Sequence, residues 1–75
     1  MNINQFIAFI TIAKTGSFSK AAAELFITQQ GLSRTIKNLE SELKVTLLER
    51  SNKGVDLTKE GHIFLTKIKP LLSYY

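Results

Sequence analysis

Five polar side chains crowd one short stretch: Gln29, Gln30, Ser33, Arg34 and Lys37. Glutamine amides pair with adenine edges and an arginine fork pairs with guanine O6 and N7. Serine or lysine can take a base or a phosphate. At about 100° per residue, Gln30, Ser33, Arg34 and Lys37 share one helical face, while Leu32, Ile36, Leu39 and Leu43 cluster on the other. A helix N-terminus beneath them adds partial positive charge. By itself such a face is an ordinary solvated surface, so its meaning depends on the elements that hold it.

Those elements are legible from caps and periodicity. Thr28 caps a third helix over 29–43. Ser17 caps a second over 18–25, whose buried side is Phe18, Ala21, Ala22 and Leu25. Three alanines at 21–23 allow a close crossing of the two helices. Phe26 and Ile27 form the turn between them, with Ile27 expected to point inward as an apolar plug. A first helix runs over 3–15 and stops at Gly16. Its stripe is Ile3, Phe6, Ile10 and Ala13, with Phe9 at the edge. Ile7 and Ile12 fall off that stripe, so the helix is apolar nearly all round and calls for a second cover.

Downstream, 47–50 and 55–58 read as two short strands. The turn Ser51-Asn52-Lys53-Gly54 joins them as a hairpin. Lys53 at the tip can reach a phosphate or the minor groove. Arg50 is open between a phosphate contact and pairing with Glu49 or a carbonyl. Thr58 with Gly61 starts a fourth helix that runs to the chain end, kinked or locally ended by Pro70. Helix, helix, helix, hairpin, helix is the order of a mainly α winged helix-turn-helix, a three-helix core with a two-stranded wing, plus an added carboxy-terminal helix. The expected division is 1–58 for the winged domain and 59–75 for the added helix.

Bulk composition narrows the alternatives. The 75 residues carry 10 Lys+Arg against 6 Asp+Glu, a net charge of +4. That modest basic excess is compatible with nucleic acid. There is no cysteine, so neither disulfides nor thiolate-bound metal can supply stability. That fits a reducing cytoplasm, the expected location. The longest apolar run is far short of a membrane span. His62 is the only histidine and reads as a packed or solvated helix residue. Glu40 and Glu42 cannot face each other on a helix, and no Gly-rich phosphate loop is present. No catalytic residue, metal site or cofactor is therefore expected. Ile7, Ile12, Ile63, Phe64, Ile68, Leu71 and Leu72 exceed what one small core can cover, which points to a homodimer through helices one and four.

The motifs taken in order resemble the amino-terminal domain of LysR-type transcriptional regulators. They are Phe6-x-x-Phe9, then Gly16-Ser17-Phe18-Ser19-Lys20-Ala21-Ala22, then Thr28-Gln29-Gln30-Gly31-Leu32-Ser33-Arg34. Ile36-x-x-Leu39-Glu40-x-x-Leu43, Leu47-Leu48-Glu49-Arg50 and Leu57-Thr58-x-x-Gly61 follow. The match spans essentially the whole chain. Four positions depart from the common pattern. Gln30 stands where proline is frequent, Gly31 where alanine is frequent, Leu48 where phenylalanine is usual, and Phe26 at a turn position usually polar. The resemblance implies a bacterial transcription factor that binds double-stranded DNA as a dimer through the carboxy-terminal linker, or dimerisation, helix at 59–75, with helix 29–43 in the major groove and wing 50–55 on the backbone or minor groove. It also implies a small-molecule effector acting only through a downstream domain absent from this chain. The candidate DNA contacts are Ser17, Thr28, Gln29, Gln30, Ser33, Arg34, Lys37, Arg50 and Lys53. The alternative is a winged-helix module that binds only protein, through its apolar helices one and four.

Overall fold

The computed structural model describes residues 1–72. The expected end of the fourth helix at Ser73, Tyr74 and Tyr75 lies outside the described residues. Helices α1 (Ile3–Thr15), α2 (Phe18–Leu25) and α3 (Gln29–Leu43) are followed by strands β1 (Leu48–Ser51) and β2 (Gly54–Leu57). Helix α4 (Lys59–Ile68) and a 3-10 turn, Lys69–Leu72, complete the order. The strands pair antiparallel, Leu48 opposite Leu57 and Ser51 opposite Gly54.

Local chemistry sets the helix starts. Asn2 accepts a hydrogen bond from the Gln5 amide while the Gln5 side chain accepts from the Asn2 amide, a reciprocal capping box. Ser17, Thr28 and Thr58 cap α2, α3 and α4 by accepting from Lys20, Gly31 and Gly61. Pro70 has no N–H to donate to the Thr66 carbonyl, and from Lys69 the chain tightens into the 3-10 turn.

The core is Ala8, Phe9 and Ile12 of α1, Phe18, Ala21 and Ala22 of α2, and Leu32, Ile36 and Leu39 of α3, joined by Leu47 and Ile68. Phe64 of α4 meets the rings of Phe6 and Phe9 edge-on, at centroid distances of 5.8 and 5.5 Å. The first ten residues of the fourth helix thus close the three-helix core.

Four expectations are corrected. Helix α1 buries Gln5, Ala8, Phe9 and Ile12, a stripe rotated from the expected one, and Ile3 is exposed. The rotation is tolerated because Gln5 is fully bonded: its oxygen accepts from Asn2 at 3.0 Å and its Nε2 donates to Glu42 at 2.9 Å. Second, Ile12 and Ile68 are core residues, at 0% and 3% exposure, and supply nothing to an outer apolar face. Third, Ile27 is not a plug. It is 45% exposed, while Leu32 is fully buried in the core behind it.

Fourth, the strands are 48–51 and 54–57 instead of 47–50 and 55–58. The amides of Leu47 and Leu48 both donate to the Glu40 carboxylate, at 2.7 and 3.3 Å, which anchors the chain where the ladder begins. Thr58 leaves the strand to cap α4, and its hydroxyl donates to the Thr46 carbonyl at 2.6 Å.

Two helix ends lack glycine where the chain turns left-handed. Phe26 has φ 59° and Lys44 has φ 60°. At each, the following amide reaches back five residues: Ile27 to the Ala22 carbonyl at 3.1 Å, and Val45 to that of Glu40 at 3.2 Å. These bonds satisfy last-turn carbonyls and offset the cost of the left-handed residue. Phe26 ends up 94% exposed.

Candidate nucleic-acid interface

Three elements contribute to one face. The start of α2 brings Ser17 and Ser19, the start of α3 brings Gln29, and the wing brings Arg50 and Ser51. These residues line a common crevice together with Phe18, Gly54 and Val55. The wing is tied to this place by backbone contact. The Val55 amide donates to the Gly16 carbonyl at 3.1 Å. Gly54, at φ 130°, comes so close that a Cβ there would sit 2.6 Å from that same oxygen. Only glycine fits both the φ and the approach.

Beside this crevice, Gln29, Gln30, Ser33, Arg34, Lys37 and Asn38 border a shallow open concavity along α3. Asn38 belongs to this face and was not singled out from the sequence, although it lies four residues beyond Arg34. Gln29, Gln30, Arg34 and Lys37 are exposed, and Ser33 is half-buried. Thr28 holds its cap, with Oγ1 accepting from Gly31 at 2.9 Å. Ser17 does the same for Lys20 at 3.1 Å. Lys53 stands exposed at the hairpin tip, its amide donating to the Ser51 hydroxyl at 3.3 Å.

Among the described residues, Arg50 pairs neither with Glu49 nor with a carbonyl. Its guanidinium lies over the Phe18 ring, 4.1 Å from the centroid. Its Nη2 donates to the Ser33 hydroxyl at 3.3 Å. The wing and α3 are therefore bridged by one side chain seated on an aromatic of α2. Nothing local in Leu47-Leu48-Glu49-Arg50 signals a partner 17 residues upstream.

Charge is distributed in keeping with this face. Glu40 is turned to the Leu47 and Leu48 amides. Glu24 pairs with Lys14 at 3.7 Å and Glu42 with the terminal ammonium at 2.6 Å. Among the described residues, no carboxylate lies within ion-pair distance of Arg34, Lys37, Arg50 or Lys53. Hydrogen bonds from Gln5 and from the terminal ammonium hold the Glu42 carboxyl below its ordinary value near 4.5. No group of His, Asp and Glu among the described residues could hold a metal ion. No helix among them is long and apolar enough to cross a membrane.

The family model described as "Bacterial regulatory helix-turn-helix protein, lysR family" matches residues 3–62. The chain belongs to the LysR family. The regulator BenM of Acinetobacter baylyi is 44% identical over 73 residues, 97% of this chain and 24% of BenM. TcbR of Pseudomonas sp. is 39% identical over 72 residues, 96% of this chain and 24% of TcbR. This chain thus spans about a quarter of the length of these curated relatives. A crystal structure of the BenM DBD with catB site 1 DNA superposes at a TM-score of 0.93 and 43% identity. That alignment covers 99% of this chain and 83% of that one. The winged helix-turn-helix reading of the fold is borne out, and the relatives of this LysR chain are transcriptional regulators, not enzymes.

Proposed function

We propose that this LysR-family chain binds double-stranded DNA in a sequence-specific manner, as the DNA-binding part of a bacterial transcriptional regulator. The observation that carries the reading is the shared face of α2, α3 and the wing, where no carboxylate among the described residues pairs with Arg34, Lys37 or Arg50. Gln29, Gln30, Ser33 and Arg34 read base edges in the major groove from the first turns of α3. Lys37, Arg50 and Lys53 take phosphates, with Lys53 at the minor groove. Ser17 and Thr28 spend their oxygens as caps and keep their hydroxyl protons for phosphate oxygens. The BenM DBD, 43% identical, is a DNA complex, which supports this use of the fold.

The regulator acts as a homodimer in the cytoplasm. Residues 1–58 form the reading unit and residues 59–75 the linker and dimerisation segment. Exposed Ile3, Ile63 and Leu71 are the apolar surface of α1, α4 and the following turn that a partner copy covers. A two-fold pair then sets two recognition helices on half-sites about one helical turn, or a multiple, apart. A small-molecule effector acts through a downstream domain.

Fluorescence anisotropy on duplexes selected from a random pool tests the reading. Arg34→Ala costs about 1–3 kcal/mol on the selected site and relaxes one base position. Lys37→Ala and Lys53→Ala weaken binding evenly and flatten the salt slope by about 1 each. Equal isotherms for parent and Arg34→Ala on selected and random duplexes would place the function elsewhere, in protein contacts.

A further inference from the structure

Serine hydroxyls can donate or accept, so a serine in a groove is ambiguous about what it reads. Ser33 is constrained by a neighbour. Arg50 has five donors and no acceptor, so in the 3.3 Å contact between them Ser33 Oγ accepts. Its proton is left to go elsewhere. Hydroxyls at Thr11, Thr35 and Thr66 donate back to the carbonyl four residues earlier. Ser33 makes no such bond to Gln29; it faces the wing. The arginine that enforces this is itself held. Its guanidinium rests on the Phe18 ring, and Phe18 is only 7% exposed. Beneath it lies a crevice of about 120 Å³ lined by Phe18, Ile36, Leu48 and Glu40 among others. A cation over an aromatic face is attracted to it and loses freedom to swing away.

We propose that Phe18 and Arg50 set the orientation of Ser33: with one lone pair taken by the guanidinium, its hydroxyl proton is turned toward an acceptor on the duplex, either a purine N7 or a phosphate oxygen. Arg50 and Phe18 are positioning residues for this contact. Ser33 touches the DNA and Arg50 acts through it, whatever phosphate contact Arg50 makes besides. The inference rests on the DNA-binding reading above and adds a rule to it: the acceptor preference at one position depends on two residues that do not touch that position.

The test uses the chain on its selected duplex. Each purine is replaced in turn by its 7-deaza analogue, which carries C–H in place of N7. Each phosphate is replaced in a second series by a neutral methylphosphonate. Parent binding should fall about fivefold to thirtyfold at one substitution that Ser33→Ala no longer senses, the fold-change expected for one good hydrogen bond. A hit in the deaza series identifies a base contact, and a hit in the methylphosphonate series a phosphate contact. Arg50→Met, at an exposed position, should bring the ratio between natural and substituted duplex at that position toward one. It should leave the ratio at the position read by Arg34 unchanged, which a general loss of fold or charge would not do. Phe18→Leu, checked by circular dichroism, should act as Arg50→Met does, and Phe18→Tyr, which keeps the ring, should restore the ratio. The proposal is overturned if no substitution separates parent from Ser33→Ala, or if Arg50→Met keeps the parental ratio. A parent that binds no duplex would instead remove the DNA-binding reading itself.

Discussion

Gly31 and Gly61 offer a matched pair in which the same substitution should have opposite effects. Each is the third residue of a helix and donates its amide to the capping threonine at 2.9 Å. Alanine is favoured over glycine inside helices by about 1 kcal/mol, so local physics recommends the change at both. Their surroundings differ. A Cβ on Gly31 meets only the Thr28 hydroxyl, at 3.1 Å, whereas on Gly61 it falls 2.2 Å from the Leu47 carbonyl oxygen and 3.3 Å from Leu57 Cβ. That oxygen belongs to backbone already held by the Thr58 amide at 3.0 Å and next to Thr46, whose carbonyl takes the Thr58 hydroxyl. Relief requires α4 to lift by roughly 1 Å from the chain entering the wing. Overpacking of this kind costs about 1–3 kcal/mol. Weakening the two Thr58 bonds adds about 1 kcal/mol each. Against the helix gain, Gly61→Ala should lose about 2–4 kcal/mol net. For a domain this small that lowers the melting temperature by roughly 8–32 °C, at about 4–8 °C per kcal/mol. Gly31→Ala should gain up to about 1 kcal/mol, as the hydroxyl gives by a few tenths of an ångström. Thermal and urea melts followed by circular dichroism measure both. A Gly61→Ala chain as stable as the parent would mean that α4 does not sit on Leu47 as the geometry requires.

Three further outcomes are expected. Phe26→Gly removes a left-handed phenylalanine that is 94% exposed; it should raise stability by about 1 kcal/mol, and a lower melting temperature would contradict the argument. Glu40→Ala leaves the Leu47 and Leu48 amides without their carboxylate, so the urea midpoint should drop by an amount equivalent to about 1–3 kcal/mol and amide exchange at both residues should quicken. Glu42 has its carboxyl pKa lowered by the Gln5 and terminal-ammonium hydrogen bonds. Its stabilising contribution is therefore present above pH about 4.5 and is lost as pH falls through the lowered value. Glu42→Gln should flatten that acid limb of the stability curve by lowering stability at neutral pH, and leave the region below the lowered value little changed.

What the chain's own order determines is everything that closes within a few residues. Ser17, Thr28 and Thr58 each find their amide three positions on, and Gly16 ends α1 without outside help. The polar face of α3 follows from the spacing of Gln30, Ser33, Arg34 and Lys37, and for that reason the candidate interface is visible before any fold is known. Tertiary structure decides what depends on partners far along the chain. Helix α1 is apolar on several sides, so its own pattern is satisfied by more than one rotation; Glu42, 37 residues away, selects the one that buries Gln5. Ile27 and Ile68 are equally apolar, and only packing sends the first outward and the second into the core. Glu40 on α3 takes the Leu47 amide, so the first strand begins at Leu48 and not at Leu47. Arg50 has Glu49 and nearby carbonyls within local reach, and the meeting of α2, α3 and the wing seats it instead over Phe18 and against Ser33. Local hydrogen bonds and periodicity are written in neighbouring residues, whereas the choice among equally apolar faces and equally charged partners is made only when distant segments compete for the same space.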